Sequence, residues 1–231
     1  MTTLKGSFYI LIQSYKKNII IFWGILCSII LLAFFIDAFF GQYVTFAMTI
    51  SIPVYIFYSS MAAKFLNKTL PYFLKLDVSR QQYMLNIGLF FISWSLIGVF
   101  IIACAHKIIS YVSSLLHVKD VLIIHPILFF GTSPSFLQMM ALDTVLLLFC
   151  LSSGLLLNVV FYRLGILGGY SFLGLLAFIP ILMVIFEWYS PLFDFLTASS
   201  IATLISGLLL FSILLYLIIA ASMRKVSVNP A

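Results

Sequence analysis

The stretch IIIFWGILCSIILLAFFI, residues 19–36, decides the fold class of this chain. It contains no charged side chain, and an apolar run of about 18 residues or more is typical of a helix that crosses a lipid bilayer. It does not alternate apolar and polar residues, as a strand of a transmembrane barrel would. Helices and closed barrels are the only structures that satisfy their backbone hydrogen bonds inside a bilayer. The stretch therefore predicts a transmembrane helix.

The composition of the whole chain agrees with this prediction. Of the 231 residues, 64% are hydrophobic and 8% are charged, whereas soluble domains carry about 25% charged residues. A chain of this size cannot bury so much apolar surface in its own core, so the lipid bilayer must cover the rest. We expect a single transmembrane domain over residues 1–231, without a separate soluble domain.

Five further apolar stretches resemble the first one. The six predicted spans cover residues 19–36, 44–63, 83–105, 136–160, 164–186 and 201–222. Between them lie a predicted cytoplasmic coupling loop at 64–82 and an external segment at 107–135. The predicted fold class is an all-α membrane protein with six transmembrane helices.

The basic residues predict the orientation of these spans. Ten of the twelve lysines and arginines fall on one side of the predicted bilayer, and only Lys107 and Lys119 fall on the other. Basic residues concentrate on the cytoplasmic side of membrane proteins, so both termini are predicted to be cytoplasmic. The formal net charge of +6 then reflects topology and contact with anionic lipid, and no nucleic-acid partner is expected.

Residues 1–18 are predicted to form an N-terminal amphipathic helix that lies at the membrane interface. The apolar residues that share one face of this helix are Leu4, Phe8, Leu11, Ile12 and Tyr15. An apolar face opposed by lysines is typical of helices at the cytoplasmic leaflet. The alternative is that the first span simply begins early.

No motif of a known catalytic site occurs in the sequence. His106, His117 and His125 are scattered along one predicted outer loop, without a nearby carboxylate pattern. Such histidines are more often surface or interfacial residues than metal ligands. We therefore expect neither a catalytic site nor a bound cofactor in this chain.

Asp143 is the one ionisable residue placed well within a predicted span. A carboxylate inside a bilayer costs about 3 kcal/mol when it is unpaired, so it needs a partner. The sequence leaves two interpretations open. Asp143 is either a structural acid paired with Lys107 or a tyrosine, or a polar residue that lines a substrate path.

The most informative polar segment is NKTLPYFLKLDVSRQQYML, residues 67–85. Leu70, Phe73 and Leu74 give it an apolar face, which predicts a short amphipathic helix. Ser79 followed by Gln82 is a capping-box pattern, which predicts that the next helix begins at Arg80. A short amphipathic helix facing the cytosol needs either lipid headgroups or a soluble partner to cover its apolar side.

The sequence LPYFLKLDVSRQQYMLNIGLFF, residues 70–91, resembles the loop before the third helix of ABC-2-type transporter permeases from Gram-positive bacteria. There, a phrase similar to LPFLLSLGVSRKQY occupies this position. The likeness in motif covers about residues 70–83, whereas the predicted topology resembles the family over the whole chain. The nearest class is the small permeases of peptide-toxin exporters, such as the phenol-soluble modulin exporter.

This resemblance implies a half-transporter in the bacterial cell membrane. Two permease chains, identical or different, would form the substrate path, and a separate ABC ATPase subunit would bind ATP and Mg. The coupling helix of the family maps onto residues 70–77, with Leu70, Pro71, Phe73, Leu74, Lys75 and Asp77 as the candidate ATPase-coupling residues. The interface helix of the family maps onto residues 4–16.

The predicted outer loop at 187–200 is too short for the re-entrant helices of polysaccharide exporters. The expected substrates are therefore amphipathic peptides or hydrophobic compounds. The competing interpretation is a membrane protein that does not transport, such as an immunity factor or an accessory subunit of a sensor.

Overall fold

The computed structural model describes residues 2–40, 46–115, 121–130 and 135–224 of the chain. These residues are almost entirely helical, as the sequence predicts. The elements in chain order are helix α1 (Thr2–Phe40), strand β1 (Phe46–Met48), helices α2 (Ser51–Ala62), α3 (Phe65–Lys75) and α4 (Arg80–Leu115), strand β2 (Val121–Ile123), a 3-10 helix (Pro126–Phe130), and helices α5 (Phe136–Ile185), α6 (Tyr189–Ala198) and α7 (Ile201–Met223).

Four helices within these ranges are long and apolar enough to cross a membrane, namely α1, α4, α5 and α7. The prediction of six separate spans is therefore wrong. The predicted second span corresponds to α2, which has 12 residues. At 1.5 Å per residue it rises only about 18 Å, less than the roughly 30 Å of a bilayer's hydrocarbon layer.

The predicted fourth and fifth spans are joined in α5, which has 50 residues. Gly165 interrupts this helix with a φ of 69° and a ψ of −173°, a conformation that is essentially restricted to glycine. A Cβ atom at Gly165 would meet no other atom within 4 Å, so the backbone conformation alone requires glycine here. The kink divides α5 into a first arm, residues 136–164, and a second arm, residues 166–185.

The predicted interfacial helix is not a separate element. Helix α1 runs unbroken for 39 residues, so the early start of the first span is the better description of residues 1–18. The physical reason is that one face of this segment packs on the protein itself. Leu11 and Tyr15 are buried, and the Tyr15 ring stacks on Phe65 with 5.3 Å between ring centroids.

The other residues of the predicted apolar face divide between the core and the surface. Phe8 packs edge-on against Phe90 of α4, with 5.8 Å between ring centroids. Ile12 is exposed, and the side chain of Leu4 lies outside the described residues. The face that covers the core is thus narrower than the face that the sequence predicts.

The core is centred where α2 crosses the first arm of α5 and α4. Gly154 permits the closest approach, because a Cβ atom there would lie 2.2 Å from the backbone oxygen of Ser59 and 3.0 Å from the Cβ of Ala62. A glycine at a helix crossing lets two backbones come together, as is common in membrane proteins. Helix α2 is therefore held by the bundle although it is short.

The predicted external segment, 107–135, is only partly a loop. Its first residues continue α4 to Leu115. Farther along, β2 pairs in parallel with β1, with Phe46 opposite Val121 and Met48 opposite Ile123. Residues 116–120, which include His117 and Lys119, lie outside the described residues. The strand pairing fixes residues 121–130 against one end of the bundle.

The C-terminal half contributes less to the core. No residue of α6 is buried, and most of the large side chains of the second arm of α5 are exposed. An exposed surface this apolar is expected of a protein whose solvent is lipid. The apolar helices therefore indicate membrane association.

Candidate functional site

The predicted coupling segment lies in and just after α3, at the end of the bundle where α4 begins. The last turn of α3 is closed by a Schellman motif. The Val78 N–H donates to the Phe73 carbonyl at 3.1 Å, and the Asp77 N–H donates to the Leu74 carbonyl at 3.2 Å. Asp77 adopts the left-handed conformation with a φ of 54°, which sets the direction of the chain as it enters α4.

The inner face of α3 belongs to the core of the chain. Phe73 is 1% exposed and Leu70 is 4% exposed. The Phe73 ring lies 5.0 Å from the ring of Tyr83 in α4, and the Tyr83 hydroxyl is 2.6 Å from Thr69 Oγ1. Both side chains are already covered by the chain itself, so a partner protein could contact them only if α3 moved, and their role in coupling stays a prediction.

The beginning of α3 is tied to the first arm of α5. Lys64, at the N-cap position, makes no capping hydrogen bond with its side chain. Instead, the Leu66 N–H donates to Asn158 Oδ1 at 2.7 Å. The first backbone N–H groups of a helix have no partner within the helix, so Asn158 satisfies one of them from across the bundle.

The outer face of α3 is open. Of the predicted coupling residues, Pro71, Lys75 and Asp77 are exposed and Leu74 is half-buried. Two apolar residues not predicted as coupling residues share this face, since Tyr72 is 59% and Leu76 is 60% exposed. Their spacing of four residues was the signal that could have revealed them, because it places both on one side of a helix.

The predicted start of α4 is confirmed. The helix begins at Arg80, and the Gln82 N–H donates to Ser79 Oγ at 3.2 Å. The Ser79 carbonyl also accepts a hydrogen bond from the Tyr83 N–H at 2.8 Å. The capping residue thus positions Tyr83, which holds the inner face of α3.

A second candidate site lies at the opposite end of α4, about 40 Å from α3 by the helical rise. It is a cavity of about 490 Å³, and His125 from the segment 121–130 forms part of its wall. Its polar lining includes His106, Lys107, His125 and Asp143. Phe136, Met139 and Met140 form an apolar side. A cavity of this size is large enough for a small organic ligand.

Asp143 is 3% exposed at the edge of this cavity. The Tyr55 hydroxyl of α2 donates a hydrogen bond to Asp143 Oδ1, and His125 Nε2 lies 3.1 Å from the same oxygen. The N–H of His125 is not aligned on that oxygen, so this second contact is electrostatic rather than a directed hydrogen bond. A tyrosine, one of the two partners foreseen for Asp143, is thus in contact with it.

The tautomer of His125 follows from its other ring nitrogen. The Ile127 N–H donates to His125 Nδ1 at 3.2 Å, so Nδ1 carries no proton and the neutral ring carries it on Nε2. A protonated Nε2 does not coordinate a metal ion. The described ranges also contain no group of three residues that could hold a metal. The geometry therefore fits a polar network rather than a metal centre.

His106 and Lys107 complete the cavity. The His106 ring lies 5.4 Å from the His125 ring, and its buried Nε2 has no hydrogen-bond partner within the described part of the chain. The sequence suggests that these histidines are scattered, whereas the structure brings both to the cavity that Asp143 also lines. The pairing of β1 with β2 holds the segment that carries His125 at this end of the bundle, and no local sequence pattern predicts that pairing.

No protein family, no curated protein and no solved structure matches this chain. The resemblance of residues 70–83 to ABC-2-type permeases therefore stays an expectation from the sequence.

Proposed function

We propose that this chain is the membrane-spanning permease subunit of an ATP-driven ABC exporter in the bacterial cell membrane. Both termini and α3 would face the cytoplasm, so that α2 and the residues next to it would return the chain through the bundle to the end where α3 packs on Tyr15 of α1. A second permease chain, identical or different, would complete the substrate path. A separate ATPase subunit would bind ATP and Mg and dock on α3. Amphipathic peptides or hydrophobic compounds are the proposed substrates.

The observation that carries this proposal is the two-sided character of α3. Its inner face is fixed to α4 through Phe73 and Tyr83 and to α5 through the hydrogen bond from Leu66 to Asn158. Its outer face presents Tyr72 and Leu76 to the surroundings. A helix that is packed on one side and exposed on the other would transmit the movement of a docked partner directly to α4 and α5.

The basic residues around α3 support a soluble partner with acidic groups. Lys75 and Lys68 are exposed on this helix, and Lys68 Nζ lies 4.9 Å from the centre of the Tyr15 ring. Charges at the rim of an interface guide association, whereas buried aromatic side chains supply most of the affinity. Tyr72 is therefore the proposed anchor, with Leu76 beside it.

The test is affinity purification of the chain from detergent, followed by identification of its partners and transport assays in vesicles. Tyr72→Ala combined with Leu76→Ala is expected to remove about 2 kcal/mol of binding free energy, roughly a thirty-fold loss of affinity for the ATPase. Ile108→Ala combined with Tyr111→Ala is the matched control, because both residues are exposed on α4 far from α3.

Two results would contradict the proposal. One is a Tyr72 and Leu76 double variant that retains its ATPase and exports normally. The other is the absence of any ATPase among the purified partners, which would favour the non-transporting immunity factor or sensor accessory subunit.

A further inference from the structure

The cavity at the end of α4 contains polar groups that have no hydrogen-bond or ion-pair partner among the described residues. His106 Nε2 is buried without a hydrogen-bond partner. Lys107 makes no ion pair within the described ranges, where its ammonium lies 5.1 Å from the centre of the Phe136 ring. A buried ring nitrogen without a partner costs free energy, so a ligand that supplies one is favoured.

Asp143, the carboxylate among the described lining residues, already has polar contacts within the chain. Asp143 receives a hydrogen bond from Tyr55 and lies against His125 Nε2. The Lys107 ammonium, by contrast, makes no ion pair with any described residue and lies over the Phe136 ring. Lys107 and, with its ring proton on Nε2, His106 are donors of the cavity that have no acceptor among the described residues.

Part of the cavity lining is apolar. This apolar part lies on the first two turns of α5 and consists of Phe136, Met139 and Met140, which line the same cavity as Lys107. Methionine side chains adapt to ligands of varied shape. The site thus combines a cation with a flexible apolar surface.

We propose that this cavity binds the acidic headgroup of an amphiphile. The Lys107 ammonium and the His106 imidazole hold the carboxylate or phosphate, while Phe136, Met139 and Met140 contact the adjoining apolar chain. Such a ligand supplies the acceptor that His106 lacks and leaves the Tyr55–Asp143–His125 contacts intact. This binding does not depend on an ATPase partner, so it goes beyond the proposed function and survives if that proposal fails.

The alternatives fit less well. A cationic ligand would lie beside Lys107 and would compete with Tyr55 and His125 for Asp143. A metal ion would need the lone pair of His125 Nε2, which the hydrogen bond at Nδ1 keeps protonated. An anionic headgroup is the class that adds a missing contact without breaking an existing one.

The test uses the full chain purified in dodecyl maltoside, a detergent without charge, and radiolabelled laurate as the probe. We expect saturable binding of laurate that Lys107→Gln weakens about tenfold, since a hydrogen bond to a charged group is typically worth that factor. His106→Gln should also weaken it. Lys75→Gln is the matched control, because it removes an exposed lysine at the other end of the bundle.

Competition identifies the source of the headgroup. Displacement of laurate by short-chain phosphatidylglycerol at a lower concentration than unlabelled laurate indicates a lipid headgroup, whereas stronger displacement by laurate indicates a free amphiphile. Both results support the proposal. Three results overturn it. The first is that neither laurate nor phosphatidylglycerol binds saturably, and the second is that dodecyltrimethylammonium displaces laurate as well as unlabelled laurate does. The third is that the Lys107→Gln variant has an unchanged melting temperature and binds laurate as tightly as the original chain.

Discussion

Asn158 caps helix α3 from a different helix. Its side-chain oxygen accepts a 2.7 Å hydrogen bond from the Leu66 N–H, and both residues are buried. The two residues are far apart in the chain, so this bond ties the first turn of the proposed coupling helix to the first arm of α5. A shift of α3 therefore either moves α5 or breaks this bond.

Asn158→Ala should lower the free energy of unfolding by about 1–3 kcal/mol, because it leaves the buried Leu66 N–H without an acceptor. Asn67→Ala is the control, since Asn67 is an exposed asparagine of the same helix. Thermal unfolding in detergent measures both. Equal melting temperatures for the two variants would show that the capping bond contributes nothing measurable.

Tyr55→Phe should destabilise the chain by about 1.5–3 kcal/mol, because the lost hydroxyl donates to a charged group. Tyr72→Phe is the matched control, since that tyrosine is exposed. A double-mutant cycle with Asp143→Asn isolates the pairwise interaction. Additive effects in the cycle would argue against coupling between the two side chains.

Glu187→Gly should raise the free energy of unfolding by about 1 kcal/mol. Glu187 ends α5 with a φ of 56°, in a Schellman motif in which the Trp188 N–H donates to the Met183 carbonyl at 2.9 Å. Glu187→Ala distinguishes the strained backbone from the negative charge as the cause of the gain, because it removes the charge but keeps the Cβ atom. An equal gain from Glu187→Ala would mean that the charge, rather than the backbone, is costly.

Gly154→Ala should destabilise the bundle by about 1–3 kcal/mol, because the added methyl group overlaps the backbone of α2. Gly174→Ala makes the same chemical change in the second arm of α5, where a Cβ atom meets nothing within 4 Å. We expect no loss of stability there. Thermal unfolding compares the pair, and a harmless Gly154→Ala would mean that α2 and α5 lie farther apart than described.

The distribution of basic residues predicts that α3 is cytoplasmic and that α6 is external. In a background without cysteines, Lys68→Cys should therefore resist an impermeant thiol reagent in intact cells, and Asp194→Cys should react. Both positions are exposed, so burial does not protect either of them. Labelling at position 68 but not at 194 would reverse the orientation.

Short-range patterns were sufficient for part of this structure. The apolar runs indicated membrane-associated helices, because the hydrophobicity of a segment depends only on its own residues. The capping box at Ser79 located the start of α4, since its hydrogen bonds join residues three positions apart. The kink at Gly165 was not predicted, because it falls just inside the predicted span 164–186.

The candidate sites depended on contacts between distant residues. The pattern of α3 has apolar residues on both faces, so only packing against Tyr83 decided that Phe73 points inward and Tyr72 outward. His125 reaches Asp143 because β2 pairs with β1, which no neighbouring residue specifies. The sequence by itself therefore determined which segments are apolar helices and where some of them begin. The tertiary structure alone decided which side chains are covered, because burial is a property of the neighbours that the fold brings together.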